Sequence, residues 1–273
     1  MSRRYATGFT LIELIIVMVI LAILGLFSFG YVSFGAQIFA DTSARQQLIA
    51  ESRFAIERLS RELKYVVPRS VRVNGACLEF VPLLAGSRYL ELPQGLAAGS
   101  SRFIAIEPQR EMPLVNQWLF VYPTQAPHVY ASTSSRRQQI QSVNAVSGQT
   151  GVIEMVFATA NAAFSQQSPG RRYFVGSTPV SWCYDATQQR LSRFSDYGFN
   201  STQPTIANLT VSASSAEVMM TTLVNDLSAG QFPFRVSPAS LQRNSLVLLD
   251  WRVGSITNER IQINHEIHLP NVP

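Results

Sequence analysis

Ser2-Arg3-Arg4-Tyr5-Ala6-Thr7-Gly8-Phe9-Thr10-Leu11-Ile12-Glu13-Leu14 decides how the rest of this chain is read. A short basic head ends at a glycine, and an apolar run starts at Phe9. That run continues to about Ala40 with a single charge in it, Glu13. Such a length is ample for a bilayer, which about 18 apolar residues can span. A carboxylate among hydrocarbon costs a few kcal/mol, so an acid inside such a segment is functional by default and needs a partner.

Two ordinary explanations fail on particular residues. A secretory signal peptide places its small-residue cleavage site after the apolar core. Ala22 and Gly25 mimic such a site, yet the run continues past them through Leu26, Phe27, Phe29, Tyr31, Val32 and Phe34. A plain signal anchor accounts for the length but not for the Gly8-Phe9 junction together with Glu13. That junction, followed by Thr10-Leu11-Ile12-Glu13, resembles the type IV prepilin signal. The resemblance implies a leader peptide over residues 1–8, cleavage by a prepilin peptidase between Gly8 and Phe9, and N-methylation of Phe9. It also implies that Glu13 pairs with a neighbouring subunit during filament assembly.

At 273 residues the chain has room for one or two domains. The part beyond the N-terminal helix can hold one substantial core or two small lobes. The formal charge of +5 is not a nucleic-acid signature, because loss of Arg3 and Arg4 with the leader lowers it to +3. Nucleic acid is therefore not expected among the partners, whereas a membrane is. Arg3 and Arg4 hold the N-terminus on the cytoplasmic side by the positive-inside rule. An inner-membrane, single-pass chain with its C-terminal part in the periplasm follows. Cys77 and Cys183 then face an oxidising compartment, where a disulfide persists. We expect them to be bonded to one another, two separate buried thiols being the alternative. Closing a loop of about 100 residues stabilises a fold by roughly 4–5 kcal/mol in the chain-entropy picture.

Along the chain the pattern changes at Asp41 from continuous to periodic. Leu48, Ile56, Leu59, Leu63 and Val66 recur at helical steps, with Ile49 and Phe54 flanking them. Glu57 with Arg61, and Arg58 with Glu62, sit four apart and read as a solvated face. Pro68 stops the helix. Residues 9–66 thus form one long helix, with its transmembrane and assembly segment at about 9–34. Gly25, Gly30 and Gly35 permit bending or local melting of the apolar half, since glycine is a poor helix former.

Residues 67–273 read as β-rich, giving an α+β fold: a long N-terminal helix carrying a β-rich globular domain. A hairpin is expected over residues 71–81 around Asn74-Gly75, the strongest short turn signal. Short strands are expected at residues 89–92, 103–106, 118–122, 152–158 and 173–175. A second hairpin is expected at 180–194, and the last strands at 245–253 and 260–269. Residues 213–227 are left between helix and irregular structure.

The strand Trp182-Cys183-Tyr184-Asp185 followed by Arg190-Leu191-Ser192-Arg193 resembles the central hairpin of large minor pilins and pseudopilins of the PilW/PulJ type. The end, His265-Glu266-Ile267-His268-Leu269-Pro270-Asn271-Val272-Pro273, resembles a subunit class of the mannose-sensitive haemagglutinin (MSHA) pilus. These resemblances imply a minor pilin that initiates, primes or caps a filament. The implied partners are the prepilin peptidase, other minor and major pilins through the N-terminal helix, and an inner-membrane assembly platform. A type II secretion pseudopilin, and a tip adhesin or ligand-binding module, are the alternatives.

No catalytic motif appears, and neither an enzyme activity nor a cofactor is expected. On a strand, His265 and His268 point to opposite faces, which argues against a shared metal. Ser134-Ser135-Arg136-Arg137 and Arg171-Arg172 read as solvated loops, with contact to phosphate or a partner acid as the alternative. Asn208-Leu209-Thr210 fits a glycosylation acceptor only formally.

Overall fold

The computed structural model describes residues 10–94, 102–109, 113–160, 162–213, 215–237, 245–254 and 259–269. Helix α1 (Leu11–Lys64) has 54 residues and is about 80 Å long at 1.5 Å per residue. Thr10 caps it, its Oγ1 accepting from the Glu13 backbone N–H at 3.4 Å. Leu48, Ser52, Ala55, Leu59 and Leu63 are buried at steps of three and four, one stripe along the second half. The helix ends two residues before the expected position because the chain there is already recruited by strand pairing. Val66 bridges Pro82, and the Val67 N–H donates to Val81 O at 2.9 Å.

The strands are β1 (Arg72–Asn74), β2 (Cys77–Phe80), β3 (Leu83–Glu91), β4 (Phe103–Ile106), β5 (Trp118–Phe120), β6 (Arg137–Ala145) and β7 (Val152–Phe157). They continue as β8 (Arg172–Gly176), β9 (Val180–Asp185), β10 (Arg190–Ser195), β11 (Ser215–Met220), β12 (Phe234–Ser237), β13 (Leu246–Gly254) and β14 (Arg260–His268). Short helices α2 (Ala126–Tyr130) and α3 (Ile206–Ser212) complete the described elements. Among the described residues the strands form a sheet in the order β1-β2-β9-β10-β11, a sheet β12-β13-β14, and a closed barrel β3-β4-β7-β6-β5-β8.

In the expected first hairpin, Asn74 is the last strand residue, paired with Cys77, and the two loop residues are Gly75 and Ala76. Gly75 has φ +57, a conformation open to glycine without the Cβ penalty. The second hairpin pairs Asp185 with Arg190 around residues 186–189, within the expected range. Residues 213–227 contain a strand, β11, at the sheet edge against β10. Two further strands, β6 and β12, had no counterpart in the pattern of the sequence.

The barrel is an insertion. β2 and β9 are hydrogen-bonded neighbours, with Phe80 opposite Val180. The chain leaves this pair at Leu83, closes the barrel, and returns at Gly176, which is paired with Leu83. Two principal cores match this division. One joins Ala55, Leu59 and Leu63 of α1 to Trp182, Leu249 and Trp251 of the two sheets. The other, including Phe103, Met155, Phe164 and Tyr173, lies wholly within residues 85–175. A third cluster, with Val67 and Val81 against Phe120, Val129 and Tyr130, joins barrel to body.

Candidate functional site

From Leu11 to Ser43 every side chain of α1 is exposed, including Leu26 at 77% and Tyr31 at 81%. α1 is the one helix among the described residues long and apolar enough to cross a membrane, an 18-residue stretch of it having a mean hydropathy of 2.9. An apolar surface of this extent is incompatible with water and must be covered by lipid or by other apolar helices. Glu13 sits in the first turn, where a carboxylate meets the positive end of the helix dipole. Its acid is therefore favoured locally, yet the shaft offers it no cationic side chain before Arg45. Gly8 and Phe9 lie outside the described residues. Around Gly25, Gly30 and Gly35 no other atom lies within 4 Å of a would-be Cβ, so nothing in the chain itself requires glycine there.

The second half of α1 is fastened to the sheet through polar contacts as well as its apolar stripe. Glu62 accepts from Arg58 Nε at 2.8 Å, Arg193 Nε at 3.0 Å and Trp182 Nε1 at 3.1 Å. Arg58 and Glu62, read from the sequence as a solvated pair, are therefore part of the seat of the helix. Its carboxylate satisfies a buried indole on β9 and a guanidinium on β10. About two turns beyond the shaft, Glu51 accepts from the Thr221 N–H at 2.5 Å and from Thr221 Oγ1 at 3.0 Å. Arg45 pairs with Glu259 at 3.5 Å.

Cys77 and Cys183 are bonded, 106 residues apart, and stand directly opposite each other on β2 and β9 with Cα atoms 4.1 Å apart. Two residues along, Glu79 is fully buried and ion-paired with Arg72, while Tyr197 Oη donates to it at 2.9 Å. Burial pushes the Glu79 carboxyl up, and the bonds from Arg72 and Tyr197 draw it back down. The Arg72 guanidinium also lies 3.6 Å from the centroid of the Tyr130 ring, tying α2 to the sheet.

Arg136 and Arg137 are not solvated; both are 8% exposed. Arg136 donates to Tyr122 O at 2.6 Å and to Gln166 Oε1 at 2.6 Å. Arg137 Nη1 donates to Val129 O, and its guanidinium sits 4.0 Å from the Phe199 ring centroid. Burial lowers Arg137 to about 10. Arg137 is a joint between barrel and body through Phe199, whereas Arg136 braces Tyr122 and Gln166 within the inserted segment; the run of small polar residues before them concealed both roles. Arg171 remains exposed and Arg172 half-buried. Among the described residues no group of His, Cys, Asp and Glu could hold a metal. His265 comes within 3.5 Å of Ser60 on α1 instead. Asn208 is engaged in a capping box, its Oδ1 accepting from Thr205 N–H at 3.2 Å and Thr205 Oγ1 at 2.7 Å.

These features define a class of protein: a bare apolar helix, fixed at its far end to a disulfide-bonded β-rich head. Residues 3–29 match the family model of the prokaryotic N-terminal methylation motif. The chain thus carries the motif of type IV pilins and pseudopilins, which implies processing by a prepilin peptidase and assembly with other pilins. Motif and apolar helix together fit a membrane-anchored pilin. No curated protein and no solved structure matches the chain.

Proposed function

We propose that this chain is a minor type IV pilin that initiates, primes or caps a filament after cleavage between Gly8 and Phe9 and N-methylation of Phe9. The observation that carries this reading is the unbroken exposed run of α1 from Leu11 to Ala40, with Glu13 as its one charge. Phe9 to Phe34 waits in the inner membrane, with the head in the periplasm, and then exchanges lipid for the helices of other subunits. Glu13 finds its counter-charge there, the new amino terminus of a neighbour being of the right sign and depth. An orphaned carboxylate in that bundle would be costly, so the pairing sets the register of addition. The role is structural, with no catalysis. The C-terminal resemblance favours an MSHA-type pilus and the position of the MshO subunit within it, over a secretion pseudopilin.

The inserted barrel favours a second reading of the same molecule, in which the head also acts as a tip adhesin or ligand-binding module. Intact mass of the mature protein tests the processing step: a start at Phe9 bearing one methyl group is expected, and any other start overturns it. Counting surface filaments in a deletion strain tests the assembly role, with a sharp fall expected and unchanged piliation counting against it.

A further inference from the structure

A cleft of about 180 Å³ opens where the turn after α1, the start of α2 and the C-terminal sheet meet. Val71, Val236 and Leu269 give it an apolar side, and Arg69, Thr124 and Gln125 a polar one. Among the described residues no acid lines it.

Arg69 belongs to the turn Val67-Pro68-Arg69-Ser70, closed by the Ser70 N–H donating to Val67 O at 3.1 Å. Its φ is +63. Proline second and positive φ third is the type II arrangement, whose third position suits glycine or asparagine. Arginine is strained there. The strain persists because the turn is held from outside, Tyr130 Oη donating to Ser70 O at 2.6 Å and Val81 N–H to Ser70 Oγ at 3.2 Å. In addition, Arg69 Nε is buried without a hydrogen-bond partner. Other orphaned arginine Nε atoms have compensation nearby. Arg137 donates through Nη1 to Val129 O, Arg190 stands opposite Asp185, and Arg252 shares a cleft with Asp226. Among the described residues Arg69 alone combines a strained backbone, an unpartnered buried donor and a cleft free of acid.

We propose that this cleft binds an aliphatic monocarboxylate, with Arg69 as its anion-binding residue. A guanidinium edge matches a carboxylate through two parallel hydrogen bonds. A single cation suits a single negative charge, and the apolar side accommodates a short aliphatic arm. The carboxylate can belong to a free acid or to an acidic side chain of a neighbouring subunit; the chemistry is shared.

The full-length protein in detergent micelles is titrated with N-acetyl-leucine and, separately, with N-acetyl-leucinamide, followed by ligand-observed NMR. Saturable binding of the acid is expected, with the amide at least about tenfold weaker. Arg69→Gly should remove binding of the acid while the melting temperature holds or rises, because glycine relieves the turn. Arg69→Gln, with the same backbone demand and no charge, should also lose it, and Arg69→Lys should retain a part. Equal binding of acid and amide, absence of binding at millimolar acid, or undiminished binding by Arg69→Gly and Arg69→Gln would overturn the assignment. A photo-cross-linker at Gln125 in cells separates the two sources: a cross-linked second polypeptide assigns the carboxylate to a neighbouring subunit, and its absence assigns it to a free acid.

Discussion

In the proposed assembly, Glu13 is the residue that sets the register. Glu13→Ala makes the segment more apolar, so insertion into the membrane is expected to stay intact. The attraction proposed to register this helix against its neighbour would be lost. Filament number should fall while the monomer accumulates at normal levels, which microscopy and a blot of the membrane pool would show together. Wild-type piliation would mean that the acid is incidental. At the other end of α1, Glu62 meets Arg58, Arg193 and Trp182. Glu62→Ala strands a buried indole and a guanidinium, at a cost of about 1–3 kcal/mol. Denaturant melts of the head should show that loss. The pair with Arg58 was visible in the sequence at a spacing of four, but the burial was not. Its partners lie 120 and 131 residues away, and no local pattern reports them.

At the scale of elements, the short helix α2 carries a pH-sensitive bond. His128 Nδ1 accepts from the Thr124 backbone N–H at 3.2 Å, which requires the neutral ring. Burial and the nearby Arg136 guanidinium lower the His128 pKa. A lowered histidine favours the neutral form in the fold. Its stabilisation is present above the ordinary value of about 6.5 and lost as pH falls through that value to the folded one. Urea midpoints at pH 7.5 and pH 5.0 should differ more for the native protein than for His128→Gln; identical differences would remove the histidine from the account.

Elements also show where legibility ended. β4 (Phe103–Ile106), β9 (Val180–Asp185) and β10 (Arg190–Ser195) are apolar or alternating and were readable. β6 (Arg137–Ala145) carries Arg, Gln and Asn, residues of poor strand propensity, with only Ile140 fully buried. It is a strand because β5 and β7 flank it in the barrel, a tertiary cause. β11 (Ser215–Met220) is an edge strand with few buried positions, so its sequence showed no strand pattern and was left between helix and irregular structure.

For the whole molecule, the decisive arrangement is a barrel set into one connection of a sheet. Gly176 lies at the junction, paired with Leu83. A Cβ there would meet Val67 Cγ2 at 2.8 Å and Pro82 O at 2.9 Å. Gly176→Ala should therefore destabilise the junction by about 1–3 kcal/mol, whereas Gly25→Ala, in open space, should leave the head unchanged. Thermal melts of both variants test the contrast. Since Leu83 and Gly176 are paired, replacing the chain between them by a short link should leave the disulfide and the membrane pool intact. Non-reducing gels of such a variant would reveal a free thiol if barrel and body fold as one unit. The closure of the barrel was not legible in advance, because it rests on β3 pairing with β8 across more than eighty residues, a contact that no short window contains.

The position of the Cys77–Cys183 bond has a mechanical consequence. It clamps β2 to β9 at the end of the pair away from the barrel, beyond Phe80–Val180, Glu79–Ser181 and Leu78–Trp182. Tension applied to the barrel, with α1 held in a filament, reaches the body along both of these strands at once. Unzipping from that end can open the pairs from Phe80–Val180 to Leu78–Trp182 and then stops at the covalent bond, so the load passes to the rest of the head and to the shaft. A crosslink elsewhere in the sheet would add stability to the free protein and none to the protein under pull.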